Sequence, residues 1–216
     1  MLLLAFDTAT PAVTVALHDG ASVIAQESAV DARRHGELLA ASIASVLRSA
    51  GAGAADLTAI AVGTGPGPYT GLRAGLVTAR VLGSALGIPV DGVCTLDVIA
   101  RSAAAAAGGR EFIVATDARR KEVYWARYSP DARRISDPQV SAPARLPVSC
   151  PIAGEGPVLY PLLAGEPIGP RYPSAGQLAD ISAKRHAAGT PVAPADPLYL
   201  RRPDAREPGR PKRVTP

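Results

Sequence analysis

"EFIVATDARRKEVYWARYSP", residues 111–130, decides the fold, because it repeats the start of the chain, "LLLAFDTATPAVTVALHDG", residues 2–20. Asp7 is followed six positions later by Val13, and Asp117 six positions later by Val123; Ala16 and Ala126 match at the same offset of 110. Each copy reads as an apolar strand ending in Asp, a turn, and a second strand that doubles back. A repeat of half the chain length points to two related lobes, which we place at residues 1–108 and 109–200, followed by a tail at 201–216.

Outward from the first copy, "SVIAQESA" reads as a third strand and completes an antiparallel meander. "RHGELLAASIASVLRSAGAG" puts Leu38, Leu39, Ile43, Val46 and Leu47 on one helical stripe and stops at Gly51. A strand "LTAIAVG", a helix from Tyr69 to Leu86, a strand "IPVDGV" and an alanine-rich helix through Ala107 follow. Strand alternating with helix implies parallel pairing. Beyond the second hairpin the chain is broken by prolines, and "SAGQLADISAKRHAAG" is the one clear helix, with Ser174 as its cap and Gly189 as its stop.

Composition bounds the rest. The 216 residues are 47% apolar, enough for a substantial core. The apolar run at the start is too short for a signal peptide and no stretch approaches a membrane span, so a cytoplasmic protein with no membrane contact is expected. Cys94 and Cys150 match no zinc spacing and are expected to be plain thiols. Net charge is +4, yet residues 201–216 hold six Lys/Arg against Asp204 and Glu207, so the first 200 residues balance. This proline-rich basic tail is expected to be flexible, either solvated or in contact with RNA or an acidic partner.

"VGTGPGPYTGLRAGL", residues 62–76, looks like a phosphate cradle but lacks its chemistry. Pro66 and Pro68 each remove a backbone donor, and no Lys-Ser/Thr pair begins the helix. Its glycines instead make a slim helix: Gly71, Gly75 and Ala79, with Ala74 and Thr78, form a small-residue stripe. Each interior glycine costs about 1 kcal/mol against alanine, so another element must approach closely, within the chain or on another subunit. The histidines His18, His35 and His186 form no ligand pair. Asp7 and Asp117 stand at two hairpin turns; each either caps its own turn or reaches a magnesium nucleotide across a cleft, with Thr8 beside it.

"LLLAFDTAT", "GTGPGPYTGLRAGL", "GIPVDGVCTLDVIA", "TDARRKEVYWARY" and "ADPLYLRR" together resemble the TsaB (YeaZ) family, over about two thirds of the chain. The resemblance implies an α/β, actin-like (ASKHA) fold of two duplicated lobes, with mixed sheets flanked by helices. It implies a non-catalytic subunit of the complex that transfers a threonylcarbamoyl group to adenosine 37 of tRNAs reading codons that begin with A. The partners implied are TsaD and TsaE, with a homodimer when alone. TsaD is similar in sequence and carries a His-x-x-x-His metal pair; the matching positions here are Thr95 and Ile99, which cannot serve that site. No cofactor of its own is expected, beyond a weak ATP or ADP contact within the complex at Asp7, Thr8 and Asp117. The partner surface implied is the first two helices: Leu38, Leu39, Ile43, Val46, Leu47, Tyr69, Gly71, Leu72, Gly75, Thr78 and Ala79. The enzyme-class alternative is a small actin-like ATPase or kinase using Asp7 and Asp117.

Overall fold

A computed structural model describes residues 1–31, 33–147, 150–161, 163 and 165–201. The tail expectation beyond Arg201 lies outside the described residues.

The first sheet begins as the expected meander of β1 (Leu3–Asp7), β2 (Ala12–His18) and β3 (Val23–Val30). The chain continues through α1 (His35–Ser49), β4 (Ala59–Gly63), α2 (Tyr69–Leu86) and β5 (Val90–Val93). β4 pairs parallel to β1 and β5 parallel to β4, giving the order β3-β2-β1-β4-β5. All residues of β1, β2 and β4 are buried, so this part of the sheet is covered on both faces. Strand alternation sends Leu4 and Phe6 to the face covered by α1 and α2, and Leu3 and Ala5 to the other.

The second sheet repeats this plan with one strand fewer. β6 (Phe112–Asp117), β7 (Val123–Tyr128), β8 (Gln139–Ser141) and β9 (Ile152–Ala153) lie in the order β8-β7-β6-β9, with β9 parallel to β6. The fold is therefore mixed α/β, two sheets of matching topology flanked by helices. One detail of the repeat differs. Asp7 pairs with Thr14, but Asp117 pairs with Val123, so the second hairpin closes one residue shorter than a strict offset of 110 allows. The cause is its turn, where Arg119, Arg120 and Lys121 all take left-handed φ values of 54–60°.

Two helices pack on the sheet of the other half of the chain. α3 (Thr95–Ala103) sends Val98 to the first sheet and Leu96, Ile99, Ala100 and Ala103 to the second. α5 (Ala175–Ala187) packs Leu178, Ala179 and Ala183 on the first sheet. Ser174 holds the cap position of α5 without a side-chain bond; Thr14 of β2 instead accepts the Ala175 N–H at 3.0 Å. The proline-broken stretch between the second hairpin and α5 contains β8, β9 and the single turn α4 (Gly156–Leu159). Among the described residues no helix is long and apolar enough to cross a membrane.

The two helical stripes point inward. Leu39, Val46 and Leu47 are 1%, 2% and 8% exposed and lie in the core with Leu72 and Ala79. Leu38 and Ile43 pack on its margin. Gly71, Gly75 and Ala79 are buried too, and the glycines' close neighbour is the chain itself: a Cβ on Gly75 would lie 2.5 Å from Thr8 Oγ1, and one on Gly71 2.5 Å from the Thr8 carbonyl oxygen. Leu39, Val46, Leu47, Gly71, Leu72, Gly75 and Ala79 are thus corrected from partner surface to core. The apolar periodicity marked the face toward the first sheet.

Gly75→Ala gains about 1 kcal/mol of helix propensity but must displace a hydrogen-bonded hydroxyl in a packed site, an overpacking cost of about 1–3 kcal/mol. We expect a net fall of several degrees in Tm by scanning calorimetry, with Ser84→Ala on the exposed side of α2 unchanged. A Gly75→Ala protein as stable as the parent would contradict the close approach to Thr8.

Candidate functional site

Asp7 closes β1 and is wholly buried. Its Oδ1 accepts the Ala9 N–H at 2.7 Å, its Oδ2 accepts the Thr95 hydroxyl at 2.7 Å, and Thr95 Oγ1 in turn accepts the Gly65 N–H at 3.1 Å. A Cβ on Gly63 would coincide with this carboxylate, so glycine is needed there to admit it. Burial raises the Asp7 carboxyl above the usual carboxylate range, against the opposing pull of the Ala9 and Thr95 bonds and of His35. Thr8 is committed as well: its hydroxyl donates to the Gly71 carbonyl at 2.7 Å and accepts the Gly75 N–H at 3.0 Å. Of the expected nucleotide-facing groups, Asp7 is corrected. It is turned into the structure and its oxygens are bonded there.

Asp117 stands differently. Its Oδ1 accepts the Arg119 N–H at 2.8 Å and the Tyr160 hydroxyl at 2.7 Å, and its Oδ2 lies 3.5 Å from the Arg119 guanidinium. Burial, then the bond to Asp117, pushes the Tyr160 hydroxyl up to about 12. Both aspartates therefore cap their own turns, but Asp117 also faces a cavity of about 250 Å³ between the sheets. The β1–β2 turn contributes Thr8 to Pro11 to its wall, α1 contributes His35, and the start of α2 contributes Pro68, Thr70 and Gly71. Thr116, Asp117, Arg119 and Glu155 complete it.

Sequence reasoning missed His35, Thr116, Arg119 and Glu155. Glu155 lies between Gly154, at φ +96°, and Gly156, where a Cβ would meet Ala115 at 2.8 Å. The "GEG" triplet was the available signal: two glycines pressed on a strand present the residue between them. His35 Nε2 lies 2.9 Å from the Thr10 carbonyl oxygen, fixing the start of α1 to the β1–β2 turn.

The positions matched to a metal pair are both in the interior. Thr95 carries the Asp7 bond, and Ile99 is in the core between α3 and the second sheet. Among the described residues no group of three or more His, Cys, Asp or Glu could hold a metal ion. Cys94 and Cys150 are free and half-buried, and burial pushes the Cys94 thiol up to about 12, which makes it a poor nucleophile.

Because the folded Asp7 value is raised, its neutral form is the favoured one; its contribution to stability is complete below the ordinary value of 3.8 and is lost as pH rises through the folded value. Asp7→Asn should therefore trail the parent in Tm most at about pH 4, and the gap should narrow toward neutral pH. A gap that widens with pH would show the charged form to be the stabilising one.

The model of the family described as "TsaD: tRNA N6-adenosine threonylcarbamoyltransferase" matches residues 23–163. An uncharacterized protein of Mycobacterium tuberculosis is 45% identical over 94% of this chain and 93% of its own length. The "tRNA threonylcarbamoyladenosine biosynthesis protein TsaB" of Escherichia coli is 37% identical over 62% of this chain and 58% of its own. A solved structure of Pseudomonas aeruginosa, "YeaZ", superposes with a TM-score of 0.78 at 30% identity over 92% of this chain and 100% of that one. The full-length match in both sequence and structure shows that the chain belongs to the TsaB (YeaZ) family, within the wider group described by the TsaD model.

Proposed function

We propose that this chain takes part in forming threonylcarbamoyladenosine in tRNA as a non-catalytic subunit. In this reading it scaffolds and activates TsaD together with TsaE, acts in the cytoplasm, and needs no cofactor of its own. Residues 1–108 and 109–200 are its two duplicated lobes, with α3 and α5 exchanged between their sheets.

The observation that carries the reading is the fate of the polar groups at the centre. Asp7, Thr8 and Thr95 spend their hydrogen bonds on one another, on the glycine loop and on α2. Ile99, at the second position of the metal pair, is a buried hydrocarbon. Of the two aspartates that the ATPase or kinase alternative would use, Asp7 is turned inward and only Asp117 lines the cleft. A cavity of about 250 Å³ is also below the roughly 300–1,000 Å³ of typical ligand pockets.

What such a subunit contributes is surface. The stripes predicted as the partner face are internal, so the surface offered to TsaD is the opposite side of the same two helices. α2 exposes Val77 and Val81, at 58% and 60%, beside Arg73, Arg80 and Ser84, and α1 exposes Ala40, Ala41 and Ala44. Of the residues first assigned to the interface, Leu38, Ile43, Tyr69 and Thr78 are half-buried and stand at its edge. Two exposed valines flanked by alanines suit a helix-on-helix contact, and a homodimer of the isolated chain would use the same face.

Val77→Glu with Val81→Glu changes only exposed positions, so the variant should fold with a Tm close to the parent's. We expect it to lose co-purification with TsaD and to weaken affinity by about tenfold or more in calorimetry. A folded double variant that binds TsaD at parental affinity would remove this face from the contact.

A further inference from the structure

We propose that the turn at residues 119–121 and the end of the chain from Arg201 onward form one cationic surface that holds the phosphate backbone of a tRNA. This rests on the proposed role in tRNA modification and deepens it by naming a surface that touches the RNA.

Two basic segments far apart in sequence meet here. Arg201 donates to the Ala118 carbonyl at 3.2 Å across a separation of 83 residues, and it pairs with Glu122 at the other end of the turn. Its own carbonyl accepts the Tyr69 hydroxyl at 2.7 Å, so the point from which residues 202–216 continue is fixed beside the turn. Arg119, Arg120 and Lys121 are all exposed. Residues 117–122 and 201–216 together hold nine Lys/Arg against four Asp/Glu, an excess of five, whereas the excess over the whole chain is four. The positive charge of this protein is therefore gathered at one place, and the remainder is slightly acidic.

The turn is built at a cost. Left-handed φ values of 54–60° at three consecutive residues suit glycine or asparagine and disfavour long side chains. All three side chains are exposed, so no apolar burial offsets the strain. Cations kept in a costly conformation at the surface point to a role for their charge.

Composition then selects the partner. A protein partner needs an apolar centre to its contact. In residues 117–122 and 201–216, prolines aside, Val214 is the one aliphatic side chain larger than alanine. A phosphate backbone needs no such centre, because it binds through charge and the release of its counterions. Seven of the nine cations are Arg, whose planar fork matches phosphate oxygens.

The full chain would be titrated by fluorescence anisotropy with an unmodified tRNA transcript over a range of salt concentrations. We expect binding in about the micromolar range at low salt, with an affinity that falls steeply as salt rises. Arg120→Gly with Lys121→Gly removes two charges where the backbone suits glycine, so this variant should fold as well as the parent. It should weaken tRNA binding by about tenfold and flatten the plot of log affinity against log salt by about one to two units, since each phosphate contact contributes a little under one. A chain ending at Arg201 should shift both in the same direction, and it decides the matter if the glycine variant fails to fold. In the reconstituted modification, the glycine variant should raise the KM for tRNA more than it lowers kcat. Polyglutamate and phosphatidylserine vesicles at the same charge concentration should bind more weakly by about tenfold or more. No tRNA binding at about 100 μM protein in low salt, or a salt slope unchanged in both variants, would overturn the proposal. So would polyglutamate or vesicles binding as tightly as the tRNA, which would give the surface to an acidic protein or a membrane. These outcomes leave the subunit role standing; that role fails instead if omitting the chain leaves modification unchanged.

Discussion

A buried carboxylate, Asp7, joins three segments that are far apart in sequence. It takes the Ala9 N–H from its own turn and the hydroxyl of Thr95 at the start of α3, and Thr95 holds the Gly65 N–H in the loop before α2. Thr8, next in the chain, grips the first turns of α2 through Gly71 and Gly75. Such a network is stabilising only when every member is satisfied, because an orphaned group in so dry a place costs more than the bond it lost. The glycines at 63, 71 and 75 are the steric condition for it, since a side chain at any of them would occupy the space of Asp7 or Thr8.

The same constraint explains why α3 can serve two sheets. Anchored at Thr95, it is fixed against the first sheet while Leu96, Ile99 and Ala103 face the second. A further tie runs along the end of the described chain. The Leu198 N–H is accepted by the Thr64 carbonyl at 2.9 Å, and the Arg73 guanidinium lies over the rings of both Tyr69 and Tyr199. Arg201 then donates to the Ala118 carbonyl and pairs with Glu122. This segment ties the loop after β4 to the left-handed turn between β6 and β7 by contacts that are individually modest, as ion pairs near the surface are.

Local pattern made the strands and helices legible. The meander, the parallel strands and α2 at Tyr69–Leu86 follow from periodicity, and Gly51 and Gly189 mark helix ends. Direction was not legible. An apolar stripe states that a face is buried and not by what, so the stripe of α1 and the glycines of α2 read equally as core or as interface. The exchange of α3 and α5 between sheets is a long-range event with no local signature. β9, at two residues, is too short to show alternation. The shorter second hairpin rests on three consecutive left-handed cationic residues, a conformation that sequence preferences argue against. In the candidate site, Asp117 was legible from the repeat and Thr8 only as the neighbour of Asp7, whereas Thr116, His35 and Glu155 meet only through folding.

The central claim is that the polar groups at the heart of this molecule maintain its shape and that its contribution to tRNA modification is made through its surface. Reconstitution of the modification from TsaD, TsaE and a source of the activated threonylcarbamoyl group, supplemented with either the parent chain or a folded Asp7→Asn variant, tests it most directly. The account predicts that omitting the chain sharply lowers product formation and that the variant restores it in proportion to the folded protein present. A folded Asp7→Asn chain that binds TsaD normally yet supports no modification would contradict it, because Asp7 would then be performing chemistry.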